Sequence, residues 1–260
     1  MSTALAAIRT LTAYLFVVAF VVVIGTPALL VGMVTGRQRH LFVLGIGCVR
    51  AAMAILGIRA DVAGAEHLQR HRAALYTVNH ASNVEPPILF AVLRELTPGL
   101  KVVYKAVLHK LPILGRGFDA AGFVPIEREN REHAAQAIDL AVRRVQDGHS
   151  LLMFPEGTRS RTGELLPFKK GAFILAIKAQ APVVPTAIYG ADRAMRRGSP
   201  LIWPTTVRVH FGAPIETTGL SIADRDTLTA QVRAQVAALL AVAAERDRHS
   251  TKRAGAPSNG

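Results

Sequence analysis

Ala74-Leu75-Tyr76-Thr77-Val78-Asn79-His80-Ala81-Ser82-Asn83-Val84-Glu85-Pro86-Pro87 changes character twice. An apolar, β-rich run gives way to a polar turn, and paired prolines then open a second apolar segment. Proline suits the first turn of a helix, where its missing N–H is an orphan anyway and its fixed φ is already helical. The stretch predicts a strand over Ala74–Val78, a turn, and a helix over Pro86–Leu96.

Similar β-rich runs lie at Ile58–Val62, Lys101–Tyr104, Phe123–Ile126, Leu151–Phe154, Val183–Ile188 and Val207–Phe211. Helical patterns fall at Arg131–Gln146 and Gly171–Ala179. This alternation predicts an α/β fold: a single domain with a twisted, mostly parallel or mixed sheet flanked by helices. Ala223–Arg246, rich in Ala, Leu and Val with spaced charges, reads as one C-terminal amphipathic helix. His249–Gly260 is small, polar and basic, and is expected to be disordered. There is no internal repeat and no interdomain linker.

The N-terminus is different. Leu11–Met33 contains no charged residue. It is long enough to cross a hydrocarbon core of about 30 Å at about 1.5 Å per residue, and it exceeds the apolar core of a signal peptide. Pro27 is expected to kink it. A second apolar stretch, Leu41–Ile58, follows Arg37, Arg39 and His40 and is interrupted by Arg50. A charge is costly at the bilayer centre, so this stretch reads as an amphipathic or interfacial helix. Basic residues flank the first segment on both sides, which gives only a weak orientation.

Of 260 residues, 31 are Lys or Arg and 18 are Asp or Glu, for a formal net charge of +13. Such a charge implies an anionic partner. Nucleic acid fits poorly: no helix-turn-helix pattern or zinc-finger spacing is present, and only 6% of residues are aromatic. An acidic membrane surface or a phosphorylated substrate fits better. The single cysteine, Cys48, excludes an internal disulfide and a cysteine-based zinc site, and it reads as a small buried hydrophobe.

His80 stands at a strand end, where sheet enzymes place reactive groups. Glu85 follows five residues on, across the turn. A carboxylate bonded to one ring nitrogen fixes the tautomer and leaves the other as a base. Asn, Ser and Glu at a helix start also serve as capping residues, so spacing alone leaves both readings open. The stretch Phe154-Pro155-Glu156-Gly157-Thr158-Arg159-Ser160 likewise ends an apolar strand in a polar loop. Gly157 allows close backbone approach to a ligand, and Arg159 offers a planar fork suited to phosphate. Alone, this stretch could be a turn with a solvated charge pair.

Other patterns carry less. Gly115-Arg116-Gly117-Phe118-Asp119-Ala120 fits a dinucleotide pattern, but Pro112 precedes it and a strand follows it, the wrong context. His67 and His71 are four apart without the glutamate of a zinc-protease motif, and read as a solvated helix face. Neither Ser82 nor Ser160 sits in a nucleophile elbow.

Taken together, the motifs resemble the glycerolipid acyltransferase family. Its first motif, Asn-His-x-Ser-x-x-Asp, is similar to Asn79–Glu85, with Glu85 in place of the aspartate. Its third, Phe-Pro-Glu-Gly-Thr-Arg-Ser, is Phe154–Ser160. Gly122–Arg128 looks like the second, which ends in a phosphate-binding arginine, and Val183–Ala187 looks like the fourth. Lys105, Leu108, Pro112 and Gly115 resemble a further stretch, with Val107 where glutamate is usual. The order matches over about Asn79–Tyr189, and the N-terminal hydrophobic pair fits the family's two-helix membrane motif.

The resemblance implies an O-acyltransferase in which His80 is the catalytic base and Glu85 orients it. Arg128 and Arg159 hold the acceptor phosphate, Lys105 assists, and Glu156, Gly157 and Thr158 shape that site. Backbone N–H groups hold the oxyanion. The implied reaction moves an acyl group from acyl-CoA or acyl-carrier protein, as co-substrate, to 1-acylglycerol 3-phosphate, giving phosphatidic acid. No metal or other cofactor is expected. Glycerol 3-phosphate, another lysophospholipid or a glycolipid is an alternative acceptor, and a non-catalytic membrane-binding module is a second alternative. Expected partners are membrane lipids, a lysophospholipid and an acyl thioester, without nucleic acid. Residues 1–58 are expected to anchor the chain in the cell membrane, 59–248 to form the catalytic domain on the cytoplasmic face, and 249–260 to be a basic tail.

Overall fold

The computed structural model describes residues 2–37, 39–127 and 131–255. Its elements are helices α1 (Thr3–Phe20), α2 (Thr26–Thr35) and α3 (Arg39–Leu56), then β1 (Arg59–Ala63), β2 (Leu75–Val78), α4 (Glu85–Val92), β3 (Leu100–Lys105), α5 (Pro112–Ala120) and β4 (Val124–Ile126). There follow α6 (Arg131–Gln146), β5 (Ser150–Met153), α7 (Gly171–Ala179), β6 (Val183–Tyr189), α8 (Ala191–Ala194), β7 (Thr206–Phe211) and α9 (Arg225–Gly255).

All the runs read as strands join one seven-stranded sheet of order β1-β7-β6-β2-β5-β3-β4. Every neighbouring pair is parallel except β6 with β7. The central strands β2 and β5 are buried at every position. That is why they read as continuous apolar runs rather than alternating ones. One layer packs Leu56 of α3 and Ile88, Leu89 and Leu93 of the α4 region on one face; the other packs α6, α7 and α9 on the opposite face. Each fully buried leucine or isoleucine contributes about 1.5–3 kcal/mol.

This layering opens the crevice that matters. β2 leads through α4 to β3, while β5 leads through α7 to β6, in opposite directions along the sheet and on opposite faces. In open α/β sheets ligands bind outside the carboxyl ends of strands where connections diverge in this way.

The apolar N-terminal run forms a nearly unbroken helix over Thr3–Thr35. It does not stop at Pro27: a π-helical turn, Val21–Gly25, comes directly before it. The wider turn accommodates the pyrrolidine ring and its missing N–H. Thr3–Thr35 and Arg39–Leu56 are long and apolar enough to cross a membrane by length and composition. Leu11, Leu15, Val18, Val23, Leu30 and Met33 stand exposed along Thr3–Thr35, a surface suited to lipid rather than water. Both ends of this helix also touch the sheet domain. Thr10 shares hydrogen bonds with Ile202 at one end, and α2 packs on α5 at the other. α3 lies against both α1 and α4, with Phe42 on Phe90 at 6.0 Å between ring centroids.

Two readings need correcting, and one helix was not predicted. α9 runs on past Arg246 to Gly255, into the stretch expected to be a disordered tail. The Gly115–Ala120 pattern lies inside α5, a helix its two glycines concealed. His67 ends a short 3-10 turn and His71 lies in a bend beyond it, so the two histidines do not share a helix face.

Candidate active site

β2 ends at Val78, and the chain must turn before α4 begins at Glu85. Three side chains fix the turn. Asn79 faces the Ile188 backbone: its Nδ2 donates to the Ile188 carbonyl at 2.9 Å, and its Oδ1 accepts the Ile188 N–H at 2.8 Å. Ser82 Oγ donates to the Met195 carbonyl at 2.8 Å. Glu85 Oε1 accepts the N–H groups of Ala81 and Ser82 at 3.0 and 2.9 Å.

Glu85 Oε2 lies 2.6 Å from His80 Nδ1. The extra methylene of glutamate is absorbed because Glu85 opens α4 and its side chain folds back into the turn. The capping and orienting readings therefore hold together. The Glu85 side chain is 1% exposed and that of His80 is 16%. Burial pushes the Glu85 carboxyl well above the ordinary carboxylate range; the Ala81 and Ser82 N–H groups and the charge of Arg159 pull the other way. The 2.6 Å contact between Nδ1 and Oε2 is a hydrogen bond that either atom can donate. With the proton on Nδ1, Nε2 carries the basic lone pair. The His80 ring lies over Phe154, centroids 4.3 Å apart.

The loop after β5 is stitched to this turn through the His80 backbone. Glu156 Oε1 accepts the His80 N–H at 2.7 Å, and the Ser160 N–H donates to the His80 carbonyl at 2.7 Å. Glu156 Oε2 accepts the Leu166 N–H at 3.1 Å. Glu156 is buried, and burial raises its carboxyl to about 7 against the pull of those two N–H groups. Glu156 therefore shapes the site from beneath, as a brace for His80. α9 helps hold the same segment, since Arg233 donates to the carbonyls of Leu165 and Leu166.

Gly157 has φ 72°. A Cβ there would stand 2.9 Å from Lys169 Cε and 3.1 Å from Lys169 Nζ. The Lys169 side chain thus lies across the glycine, and its backbone N–H is tied to the Pro155 carbonyl at 2.8 Å. Lys169 is the functional candidate that spacing missed; its only signal was a glycine that leaves room for it. Thr158 is exposed on the loop, and Arg159 is half-buried and close enough to Glu85 to act on its charge.

Lys105 ends β3 in register with Ile126 of β4, exposed, at the same end of the sheet. From β2 across β5 to β3 is two strand spacings, about 10 Å. Lys105 is thus a neighbour of the His80 turn rather than part of it. Arg128 lies outside the described residues. No group of three or more His, Cys, Asp and Glu side chains gathers in metal-binding fashion among the described residues.

Residues 59–189 match the Acyltransferase family. The 1-acyl-sn-glycerol-3-phosphate acyltransferase of Limnanthes douglasii is 38% identical over 164 residues, covering 63% of this chain and 57% of that protein. The 1-acyl-sn-glycerol-3-phosphate acyltransferase beta of Homo sapiens is 32% identical over 177 residues, covering 68% and 63%. The chain thus spans less than two thirds of the length of these relatives. Among solved structures, the 1-acyl-sn-glycerophosphate (LPA) acyltransferase PlsC of Thermotoga maritima superimposes with a TM-score of 0.77 at 22% identity, over 92% of this chain and 98% of that one. At that identity the likeness is one of fold.

Proposed function

The chain belongs to the Acyltransferase family, and from that premise we propose that it transfers a fatty acyl group from a thioester to the hydroxyl of 1-acylglycerol 3-phosphate, giving phosphatidic acid. The observation that carries this reading is the 2.6 Å contact of His80 Nδ1 with Glu85 Oε2, set beside the Arg159 loop at the carboxyl end of β2.

In this reading His80 Nε2 takes the hydroxyl proton as the acceptor oxygen attacks the thioester carbonyl carbon. The tetrahedral intermediate collapses, the C–S bond breaks, and the thiolate takes the proton back from the imidazolium. The products are an ester and a thiol, and His80 is restored. Glu85 keeps Nδ1 as the donor and stabilises the imidazolium in between. Arg159 and Lys169 face the acceptor phosphate, and Lys105 and Arg128 extend that anionic site. The donor is acyl-CoA or acyl-carrier protein, and the chemistry calls on no metal or other cofactor. The exposed apolar helices hold the domain at the cell membrane, where both lipid substrate and product reside, with the catalytic domain on the cytoplasmic face.

The test is transfer of labelled acyl from acyl-CoA to a panel of lysolipids, glycerol 3-phosphate among them. Lysophosphatidate is expected to be the preferred acceptor, and His80→Ala is expected to lose roughly 10²–10⁴-fold in rate. A folded His80→Ala variant with near-normal turnover would overturn the proposal.

A further inference from the structure

A cleft of about 790 Å³ opens where α1, the end of α3 and the start of β1 meet the segment leading into β7. Three of its walls carry arginines: Arg9 from α1, Arg50 from α3 and Arg59 from β1. No lining residue comes from the His80 turn or from the loop after β5. Arg59 pairs in register with Thr206, and Tyr189 with Arg208, so the cleft lies at the end of the sheet where β2 and β6 also finish. From β2 across β6 and β7 to β1 is three strand spacings, about 14 Å. The cleft is beside the candidate active site and distinct from it.

What sets the cleft apart is that three arginines from three separate elements share it. Arg70 pairs with Glu95, Arg72 with Glu216, Arg193 with Asp247, and Arg208 with Asp61. Arg9, Arg50 and Arg59 make no ion pair among the described residues. Like charges brought together repel, and an anion supplied from outside would offset that. Arg9 is also held in place. Gly57 ends α3 with φ 71°, and a Cβ there would stand 2.9 Å from Arg9 Nη1 and 3.0 Å from Pro204 Cβ. The guanidinium lies against the glycine backbone, on the wall of the cleft.

The surroundings are those of an amphiphile. Met53, Ala54, Ile58 and Pro204 line the cleft. On α1, Leu5, Ile8 and Leu11 stand exposed around Arg9. We propose that this cleft binds the phosphate of an anionic bilayer phospholipid, whose acyl chains lie along α1. Guanidinium groups meet phosphate oxygens through parallel N–H donors. A lipid held there would dock the domain on the bilayer about three strand spacings from His80. The proposal does not depend on the acyl-transfer chemistry. The same phosphate chemistry is offered by the CoA donor and by free phosphate.

Trp203, the only tryptophan in the sequence, precedes two residues that line the cleft, Pro204 and Thr205. Full-length protein in neutral detergent micelles is titrated with phosphatidylglycerol or phosphatidylcholine brominated on the acyl chains, and quenching of Trp203 is read. Phosphatidylglycerol is expected to quench at lower mole fraction. Each of Arg9→Gln, Arg50→Gln and Arg59→Gln should weaken that preference about fivefold, the effect of one basic side chain at a membrane surface. The triple variant should abolish it, and the single variants carry the test if the triple does not fold. His80→Ala should keep the preference, so failure of the proposed acyl transfer would leave this result standing. Equal quenching by both lipids in the wild type, or a preference unchanged in the arginine variants, overturns the proposal. Displacement of the lipid by CoA or by inorganic phosphate at comparable concentration also overturns it, and assigns the cleft to the donor or to phosphate alone.

Discussion

The His80 N–H donates to the Glu156 side chain at 2.7 Å, so the loop after β5 holds the turn that follows β2. The Ser160 N–H grips His80 from its carbonyl side. Glu156→Ala would leave the part-buried N–H groups of His80 and Leu166 without their acceptor, at up to about 1–3 kcal/mol for each group stranded. It would also loosen the base, and a shift of about 1 Å in a reacting group can cost roughly a hundredfold in rate. The expected outcome is a lower melting temperature and a large fall in kcat, with the acceptor KM little changed. A variant with normal kcat would show that the Ser160 contact alone fixes His80.

Glu156 also sets a pH dependence of stability. Burial raises its carboxyl from 4.5 to about 7 in the folded protein. Between those values the folded state keeps a proton that the unfolded chain has released. Stability from this group is therefore present below about 4.5 and declines as pH rises through 7. The amide of Glu156→Gln does not titrate. Thermal melts over this range should fall with rising pH more steeply for wild type than for Glu156→Gln. Parallel curves would show that Glu156 stays ionised in the fold.

At Glu85 the amide and the shorter acid separate two roles. Glu85→Gln keeps the reach to the Ala81 and Ser82 N–H groups through its oxygen, but its NH₂ can face Nδ1 and favour the wrong tautomer. A loss of roughly 10²–10⁴-fold in kcat is expected, with only a modest change in melting temperature. Glu85→Asp restores the acid of the family motif and should keep substantial activity. Equal rates for Glu85→Gln and wild type would reduce Glu85 to a turn-closing residue.

Much of this architecture is visible in the chain because buried parallel strands must be apolar. Leu75–Val78 and Ser150–Met153 have no exposed face, so their boundaries coincide with abrupt polar turns. His80 and Glu85 are legible for the same reason: they sit where the apolar run stops. Glu156 reads from sequence as one of the residues that shape the phosphate site, and the structure buries it with its side chain on the His80 backbone. That contact spans 76 positions of sequence, which no local pattern encodes. Lys169 was hidden likewise, because its place over Gly157 depends on how the loop after β5 folds back. α5 escaped notice because glycines at Gly115 and Gly117 lower helix propensity while tertiary contacts hold the helix. Gly115 is needed there, since a Cβ would stand 2.1 Å from the His109 carbonyl oxygen.

The acceptor site proposed above rests on the half-buried Arg159 and on Lys169. A phosphate monoester carries up to two negative charges, whereas a diester carries one. Two cations beside the His80 turn therefore favour lysophosphatidate or glycerol 3-phosphate over a lysophospholipid with a large head group. Arg159→Ala and Lys169→Ala should each raise the acceptor KM, by about tenfold if one charge-assisted contact of roughly 1.5 kcal/mol is lost, and leave the donor KM nearly unchanged. Arg159→Lys should recover only part, because an ammonium lacks the two-donor fork. Gly157→Ala tests the same site from the other side. Its φ of 72° is strained for alanine, and the new methyl would collide with Lys169. That variant should raise the acceptor KM as Lys169→Ala does, and adding it to Lys169→Ala should raise KM by less than the product of the two separate effects. KM for acceptor and donor, measured separately in each variant, decides the matter. If Arg159→Ala and Lys169→Ala weaken the donor and spare the acceptor, these cations bind the donor's phosphates, and the acceptor assignment falls with them.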